Sequence, residues 1–142
     1  MENKSKAQTF LERVEKVDTI VENKLIEQRQ WRDLAMSITA NMGGERVQSS
    51  GTKSKMAIAV ERCVDMEDEI AEAVDRLIEE KQKVVKTIEK LYSPTEYKIL
   101  HLRYIQHIRL KDIAEMLNRE YTWVTTTHGR ALKSVQNILD QK

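Results

Sequence analysis

Two long stretches of the chain repeat apolar residues at alternating steps of three and four, and this pattern constrains the fold most. The first stretch covers residues 6–42 and the second covers residues 56–91. Such spacing places the apolar side chains along one side of an α-helix and is typical of a coiled-coil seam. The small, polar residues 43–55 between them predict a loop. Two helices of matched length around one loop predict a long antiparallel helical hairpin.

The predicted seams also carry information about register and association. Gln28, Glu67 and Lys81 interrupt them, and polar groups at such positions cost stability but can fix the register of the pairing. Two helices cannot bury both apolar stripes completely, so we expect a homo-oligomer built through the hairpin. The predicted seam positions are Phe10, Val14, Val17, Val21, Leu25, Gln28, Trp31, Ala35, Ile38, Met42 and, on the second helix, Met56, Val60, Cys63, Glu67, Ile70, Val74, Leu77, Lys81, Val84, Ile88, Leu91.

The composition predicts an all-α protein without a catalytic centre. The 142 residues include one proline, four glycines and 33% charged residues, a balance that favours helices. Three histidines and the single Cys63 lack the spacing of metal ligands, and no glycine-rich phosphate loop is present. We therefore expect no enzyme activity, no metal and no cofactor. One cysteine fits a reducing compartment, and neither a secretory leader nor a membrane span is evident, so we expect a cytoplasmic protein.

A helix start is marked at the only proline. Ser93 can cap a helix, Pro94 suits its first position, and Glu96 stands where it would complete a capping box. Tyr92 and Tyr97 have the spacing of a hydrophobic staple across that start. We expect the helix to continue to about residue 106.

Residues 110–135 have the spacing of a helix-turn-helix motif. Ile113 and Ala114 lie on a short first helix, and the small Ala114 allows a close helix crossing. Asn118 stands at the turn, where a left-handed backbone is required and asparagine tolerates one. Val124 begins the buried stripe of the second helix. A second helix held in this way has one face free to enter a DNA major groove.

The charges are distributed unevenly along the chain. Residues 94–142 carry eight Lys/Arg against five acids, a net charge of +3, whereas residues 61–80 have a net charge of −7. The C-terminal part can face phosphates, and the acidic stretch would be repelled by them. We therefore predict a hairpin over 1–92, for oligomerisation or partner binding, and a three-helix DNA-binding domain over 93–142.

The C-terminal part resembles a known promoter-binding domain. The string LKDIAEMLN, followed by Val124 and by RAL at 130–132, looks like the fourth conserved region of bacterial sigma factors. ILHLRYIQH at 99–107 resembles the helix that precedes the motif in that region. The chain departs from the sigma pattern at the turn and in the lower core, at Asn118, Arg119, Glu120 and Thr127.

A second resemblance concerns the middle of the chain. The string SITANMGGERVQSSGTKSKMAIAVERCVDMEDEI resembles small phage proteins with sigma-like C-termini, related in kind to the late-gene activators RinA and ArpU. Together the two resemblances cover residues 34–139. They imply a sequence-specific, DNA-binding regulator of phage or prophage genes that acts at promoters, with host RNA polymerase as a further partner.

Candidate contacts with double-stranded DNA fall into three groups. The sigma resemblance implies base-reading roles at Tyr121, Thr122, Thr125 and Thr126. Threonine offers a hydroxyl and a methyl group that can meet the thymine methyl, which favours A·T-rich sites. The candidates for phosphate contacts are Arg109, Lys111, Arg130 and Lys133. Trp123 fits either packing against a neighbouring helix or a contact at the groove edge, and His128 is expected to be a hydrogen-bonded core residue.

Two alternative functions fit the same pattern. A phage DNA-packaging protein of the small-terminase type also joins a helix-turn-helix to an oligomerising helical part, although it usually places the DNA-binding part first. A coiled-coil interaction protein could instead dock its sigma-like part on RNA polymerase or on another protein. The threonine-rich face of the second helix keeps this alternative open.

Overall fold

The structure is a computed structural model that describes residues 4–42 and 50–141. Within those residues it contains five α-helices and no β-strand. The helices are α1 (Lys6–Met42), α2 (Ser50–Ile88), α3 (Pro94–Leu100), α4 (Leu110–Met116) and α5 (Tyr121–Asp140). A π-helical turn, His101–Ile105, continues α3. The all-α prediction is confirmed.

Helices α1 and α2 form the predicted antiparallel hairpin. Lys24 contacts Glu69, and one turn later on α1 Gln28 contacts Cys63, so the two sequences run in opposite directions. Helix α2 begins earlier than predicted, because residues 50–55 are helical. One glycine costs a helix only about 1 kcal/mol, which the packing of the following turns can offset. The remainder of the predicted loop, residues 43–49, lies outside the described residues.

The buried stripe of α1 follows the predicted seam only in part. Val14, Val17 and Val21 are buried, and Gln28 is 9% exposed. The Gln28 amide donates to the backbone oxygen of Cys63 at 3.1 Å, so this seam residue pairs with the opposite helix as expected. Leu25, by contrast, is 44% exposed. The seam prediction is wrong at this position.

The buried stripe of α2 is displaced by one residue from the predicted seam between residues 59 and 73. Ala59, Met66 and Ala73 are buried, whereas the predicted seam residues Val60 and Glu67 are exposed. Ala59 and Ala73, which are fourteen residues apart, allow the helix backbones to approach closely on that side. The predicted seam residue Lys81 is exposed as well. The sequence contains two neighbouring apolar stripes on α2, and the one with the smaller side chains faces α1.

The chain divides into two compact units that differ from the predicted division after residue 92. One unit comprises 1–17 with 77–142, and the other comprises 18–76. In the first unit the ends of both long helices share a core with the C-terminal helices. Its buried members are Ala7, Leu11, Val14, Val84, Ile88, Leu100, Tyr104, Ala131 and Val135. The ends of α1 and α2 therefore cover apolar side chains of α3 and α5.

At the start of α3 the predicted N-cap forms, but the predicted capping box and hydrophobic staple do not. The Ser93 hydroxyl accepts from the backbone N–H of Glu96 at 3.3 Å, and Pro94 is the first helical residue. The Glu96 carboxylate accepts from the Ser134 hydroxyl of α5 at 2.9 Å and makes no reciprocal capping bond. Tyr92 is fully exposed, so the predicted hydrophobic staple with Tyr97 does not form.

Candidate nucleic-acid interface

The helix-turn-helix geometry is built on a small apolar core. Ile113 and Ala114 of α4 pack with Val124 of α5 and with Ile99 and Leu102 of the preceding helical segment. All five side chains are at most 7% exposed. This core fixes the orientation of α5 against α4.

The turn between α4 and α5 has the left-handed backbone that the sequence predicts. Asn118 has φ 52°, and the following backbone N–H, of Arg119, donates to the oxygen of Ala114 at 2.9 Å. This bond satisfies a carbonyl group at the end of α4 that would otherwise lack a helical partner. Asparagine is among the few residues that tolerate this conformation.

Helix α5 has one buried and one free side. Val124, Thr127, Ala131 and Val135 are buried on one side. Thr127 is the polar member of this buried side. Its hydroxyl donates to the backbone oxygen of Trp123 at 2.8 Å, which satisfies the polar group.

The structure places most of the candidate base-reading side chains on the free side of α5. Thr122 and Thr126 are exposed, and Tyr121 is 55% exposed. Thr125 is half-buried, and its hydroxyl donates to the backbone oxygen of Thr122 at 3.0 Å. The Thr125 hydroxyl hydrogen is therefore already engaged, and Thr122 and Thr126 are the threonines whose hydroxyls are freest to donate.

The candidate phosphate-binding side chains differ in whether an acidic group of the protein already pairs with them. Arg130 and Lys133 are exposed on α5 beyond the threonines. Lys111 is exposed on α4 and lines a surface groove together with Tyr121. Arg109 is exposed, but its Nε lies 3.2 Å from a carboxylate oxygen of Asp112. This ion pair offsets part of the charge that Arg109 could present to a phosphate.

Trp123 lies at the edge of the apolar core. Its side chain is half-buried and packs against the cluster that contains Val124. The Arg119 guanidinium lies over the indole, 4.6 Å from the ring centroid, in a cation–π contact. Arg119 is exposed and basic, and it is not among the DNA-contact residues that the sequence pattern indicated. The four-residue spacing from Arg119 to Trp123 across the helix start was the available signal.

His128 is hydrogen-bonded inside the first unit, as expected. Its Nε2 lies 2.7 Å from the hydroxyl oxygen of the buried Tyr104. Burial, with a smaller contribution from Arg103, lowers the pKa of His128 below its ordinary value. Burial also raises the pKa of Tyr104 to about 12. The pair is neutral near pH 7 and supports the packing of α5 on the π-helical turn.

Other kinds of site find little support in the described part of the chain. In residues 4–42 and 50–141, no three His, Cys, Asp or Glu side chains are grouped so that they could hold a metal ion. None of the described helices is long and apolar enough to cross a bilayer. Comparison with protein-family models, curated proteins and solved structures gives no match to the chain.

Proposed function

We propose that the protein is a sequence-specific DNA-binding transcriptional regulator that inserts α5 into the major groove. The observation that carries the proposal is the free side of α5. Thr122 and Thr126 lie exposed in its first two turns, and Arg130 and Lys133 follow on exposed positions, opposite a fully buried stripe. A helix held by one side and polar on the other is the element that helix-turn-helix proteins place in DNA.

The dimensions and the order of the side chains suit this role. Helix α5 has 20 residues, which corresponds to a length of about 30 Å. The major groove is about 12 Å wide and admits one α-helix. In helix-turn-helix proteins the first turns of the recognition helix contact bases, and basic residues elsewhere bind phosphates. Thr122 and Thr126 would then read bases, and Arg130 and Lys133 would bind the backbone.

The charges of this part of the chain support a polyanionic partner. No acidic residue occurs in α5 before Asp140, its last residue. Residues 94–142 carry a net charge of +3, and the strongly acidic stretch 61–80 belongs to α2. The interface on α5 therefore attracts phosphates along most of its length.

The biological setting of the proposal rests on the sequence resemblances. They favour regulation of phage or prophage genes at promoters, with host RNA polymerase as a second partner and a self-associated, cytoplasmic protein. The alternative functions are a DNA-packaging role and a polymerase-docking role without DNA reading. The packaging alternative shares the DNA contact, and the docking alternative does not.

Selection from a random pool of DNA duplexes tests the proposal on the full-length chain. We expect enrichment of one A·T-rich sequence, because threonine contacts favour thymine methyl groups. Thr126→Asp places a negative charge on the free side of α5 and should abolish the enrichment. Thr19→Asp is the matched control, since Thr19 is exposed on α1 and is remote in sequence from α5.

Two outcomes of this selection contradict the proposal. Absence of enrichment by the folded wild-type chain would remove sequence-specific DNA reading. Retention of RNA polymerase by that same chain would then support the docking alternative. Equal loss of enrichment in Thr126→Asp and Thr19→Asp would show that α5 is not the reading helix.

A further inference from the structure

The unit of residues 18–76 has two unlike sides, and one of them is held together by ion pairs. Glu69 accepts from Arg62 at 2.7 Å and from Lys24 at 3.1 Å. Arg62 also lies 3.5 Å from Glu27. These four charged residues of α1 and α2 neutralise one another within the hairpin. We refer to this side, defined by Lys24, Glu27, Arg62 and Glu69, as the ionic face.

The second side of the same unit carries an apolar groove between α1 and α2. Its lining residues are Arg32, Ala35, Met36, Val60, Cys63, Val64 and Glu67, and we refer to them as the groove face. Met36 is 65% exposed, and Val64 is 57% exposed. Large apolar side chains that gather on one side of a helix pair indicate an interaction surface.

The groove face continues along both helices with the spacing of a packing stripe. On α1, Leu25, Arg29, Arg32 and Met36 follow one another at steps of four, three and four. On α2, Val60, Val64, Glu67, Ala71 and Val74 follow at steps of four, three, four and three. This spacing lets another helix pack against each stripe. The stripe on α2 is the second apolar stripe of that helix, next to the one that faces α1.

The charges on the groove face are separated between the two helices. Arg29 and Arg32 lie on the α1 stripe, and Glu67 lies on the α2 stripe. Among residues 4–42 and 50–141, neither arginine forms an ion pair. A second copy turned by a twofold axis parallel to the helices would lay its α2 on this α1. Arg29 and Arg32 of each copy would then approach Glu67 of the other copy, and this pairing of opposite charges is electrostatically favourable.

The alternative occupants fit these charges less well. Residues 61–80 of α2 carry a net charge of −7, so pairing α2 with another α2 would bring acidic helices together. DNA and anionic lipid would be repelled by the same residues. A copy of this chain supplies exposed apolar side chains and the opposite charge to each helix.

We infer that the groove face is the dimer interface and that a second copy of this chain completes a four-helix bundle on it. In this bundle α1 of each chain packs against α2 of its partner. The inference is independent of the proposed DNA binding, because no residue of α4 or α5 takes part. It brings two helix-turn-helix motifs into one assembly, as a two-half-site DNA target requires.

Substitutions at two equally exposed positions of α2 test which face forms the dimer interface. Val64 and Ile58 are each 57% exposed. Ile58 lies one turn before Arg62, on the side of the ionic face. Sedimentation equilibrium of the full-length chain at micromolar concentration should show a dimer. Val64→Asp should weaken the dimer by more than about tenfold, because it buries an unpaired charge. Ile58→Asp should leave the dimer unchanged, and circular dichroism should show equal helicity in both variants.

A charge reversal tests the pairing of α1 with α2. Arg29→Glu together with Arg32→Glu should weaken the dimer, because glutamates would then face Glu67 of the partner copy. Adding Glu67→Arg to the same chain should restore it. Pairing of α1 with α1 would not give this restoration, and its absence would overturn the inferred arrangement.

Other results would overturn the inference as a whole. A folded wild-type chain that is monomeric under these conditions would leave the groove face to a different partner. Equal weakening by Val64→Asp and Ile58→Asp would show that the groove face is not the interface. DNA selection with Val64→Asp separates the two proposals, since a monomer that still enriches a single half-site would read DNA through α5 without the dimer.

Discussion

At the scale of single residues, α5 separates side chains suited to reading bases from side chains suited to binding phosphates. Thr126 has one exposed hydroxyl and one methyl group, which can distinguish base pairs in the major groove. Arg130 is exposed one turn further along, at the border of the same side. A phosphate contact there would position the helix without reading sequence. The two residues should therefore respond differently to truncation.

Thr126→Ala should mainly lower the ratio of specific to nonspecific DNA affinity. We expect a loss of about 1 kcal/mol, because one hydroxyl cannot make a bidentate contact with a base pair. Arg130→Ala should weaken binding to all sequences and lower the salt dependence by about one ion. Competition titrations at two salt concentrations measure both effects. A change of sequence preference in Arg130→Ala, with none in Thr126→Ala, would show that the assignment of the two residues is reversed.

His128 should make the stability of the protein depend on pH. Burial lowers its pKa in the folded chain below the ordinary value of 6.5. The unfolded chain therefore protonates His128 at a higher pH than the folded chain does. The contribution of neutral His128 to the free energy of unfolding is complete above pH 6.5 and is lost as the pH falls below that value. Urea unfolding at about pH 8 and about pH 5 should show this loss in the wild type and a smaller one in His128→Gln. An unchanged pH dependence in the variant would exclude His128 as its source.

At the scale of elements, two positions in the helix-turn-helix should respond in opposite directions to alanine. Apart from its two chain neighbours and the backbone of its own helix, no atom lies within 4 Å of the place that a Cβ would take at Gly129, and the φ of Gly129 is negative. Gly129→Ala should raise the free energy of unfolding by about 0.5–1 kcal/mol. Asn118→Ala should lower it by about 1 kcal/mol, because alanine is strained at φ 52°. Urea unfolding measures both, and equal effects at the two positions would contradict the backbone geometry.

The sequence predicted the elements better than it predicted their contacts. Apolar periodicity indicated α1 and α2, and Asn118 indicated the turn before α5. Periodicity could not decide which of two neighbouring stripes on α2 faces α1, because that choice depends on the small size of Ala59 and Ala73. The bond from Ser134 to Glu96 joins residues 38 positions apart, and no local pattern indicates it.

At the scale of the whole molecule, the C-terminal helices depend on the ends of the hairpin. Leu100, Tyr104 and Val135 are buried in a core that includes Leu11 and Ile88. A fragment of residues 94–142 would expose these side chains, so it should lose most of its helical signal in circular dichroism. A fragment that keeps the helicity and the thermal unfolding transition of a folded domain would contradict this dependence. DNA binding therefore has to be measured on the full-length chain.

The basic side chains of α5 should bind the DNA backbone, and the salt dependence of binding is the direct measure of such contacts. Arg130→Ala with Lys133→Ala removes two charges from α5, whereas Lys86→Ala with Lys90→Ala removes two exposed charges from the region where α2 ends. Titration of one selected duplex over a range of salt concentrations should give a slope smaller by about two for the α5 variant, with weaker binding. The control variant should match the wild type. Equal changes in both variants, or none in the α5 variant, would contradict the claim.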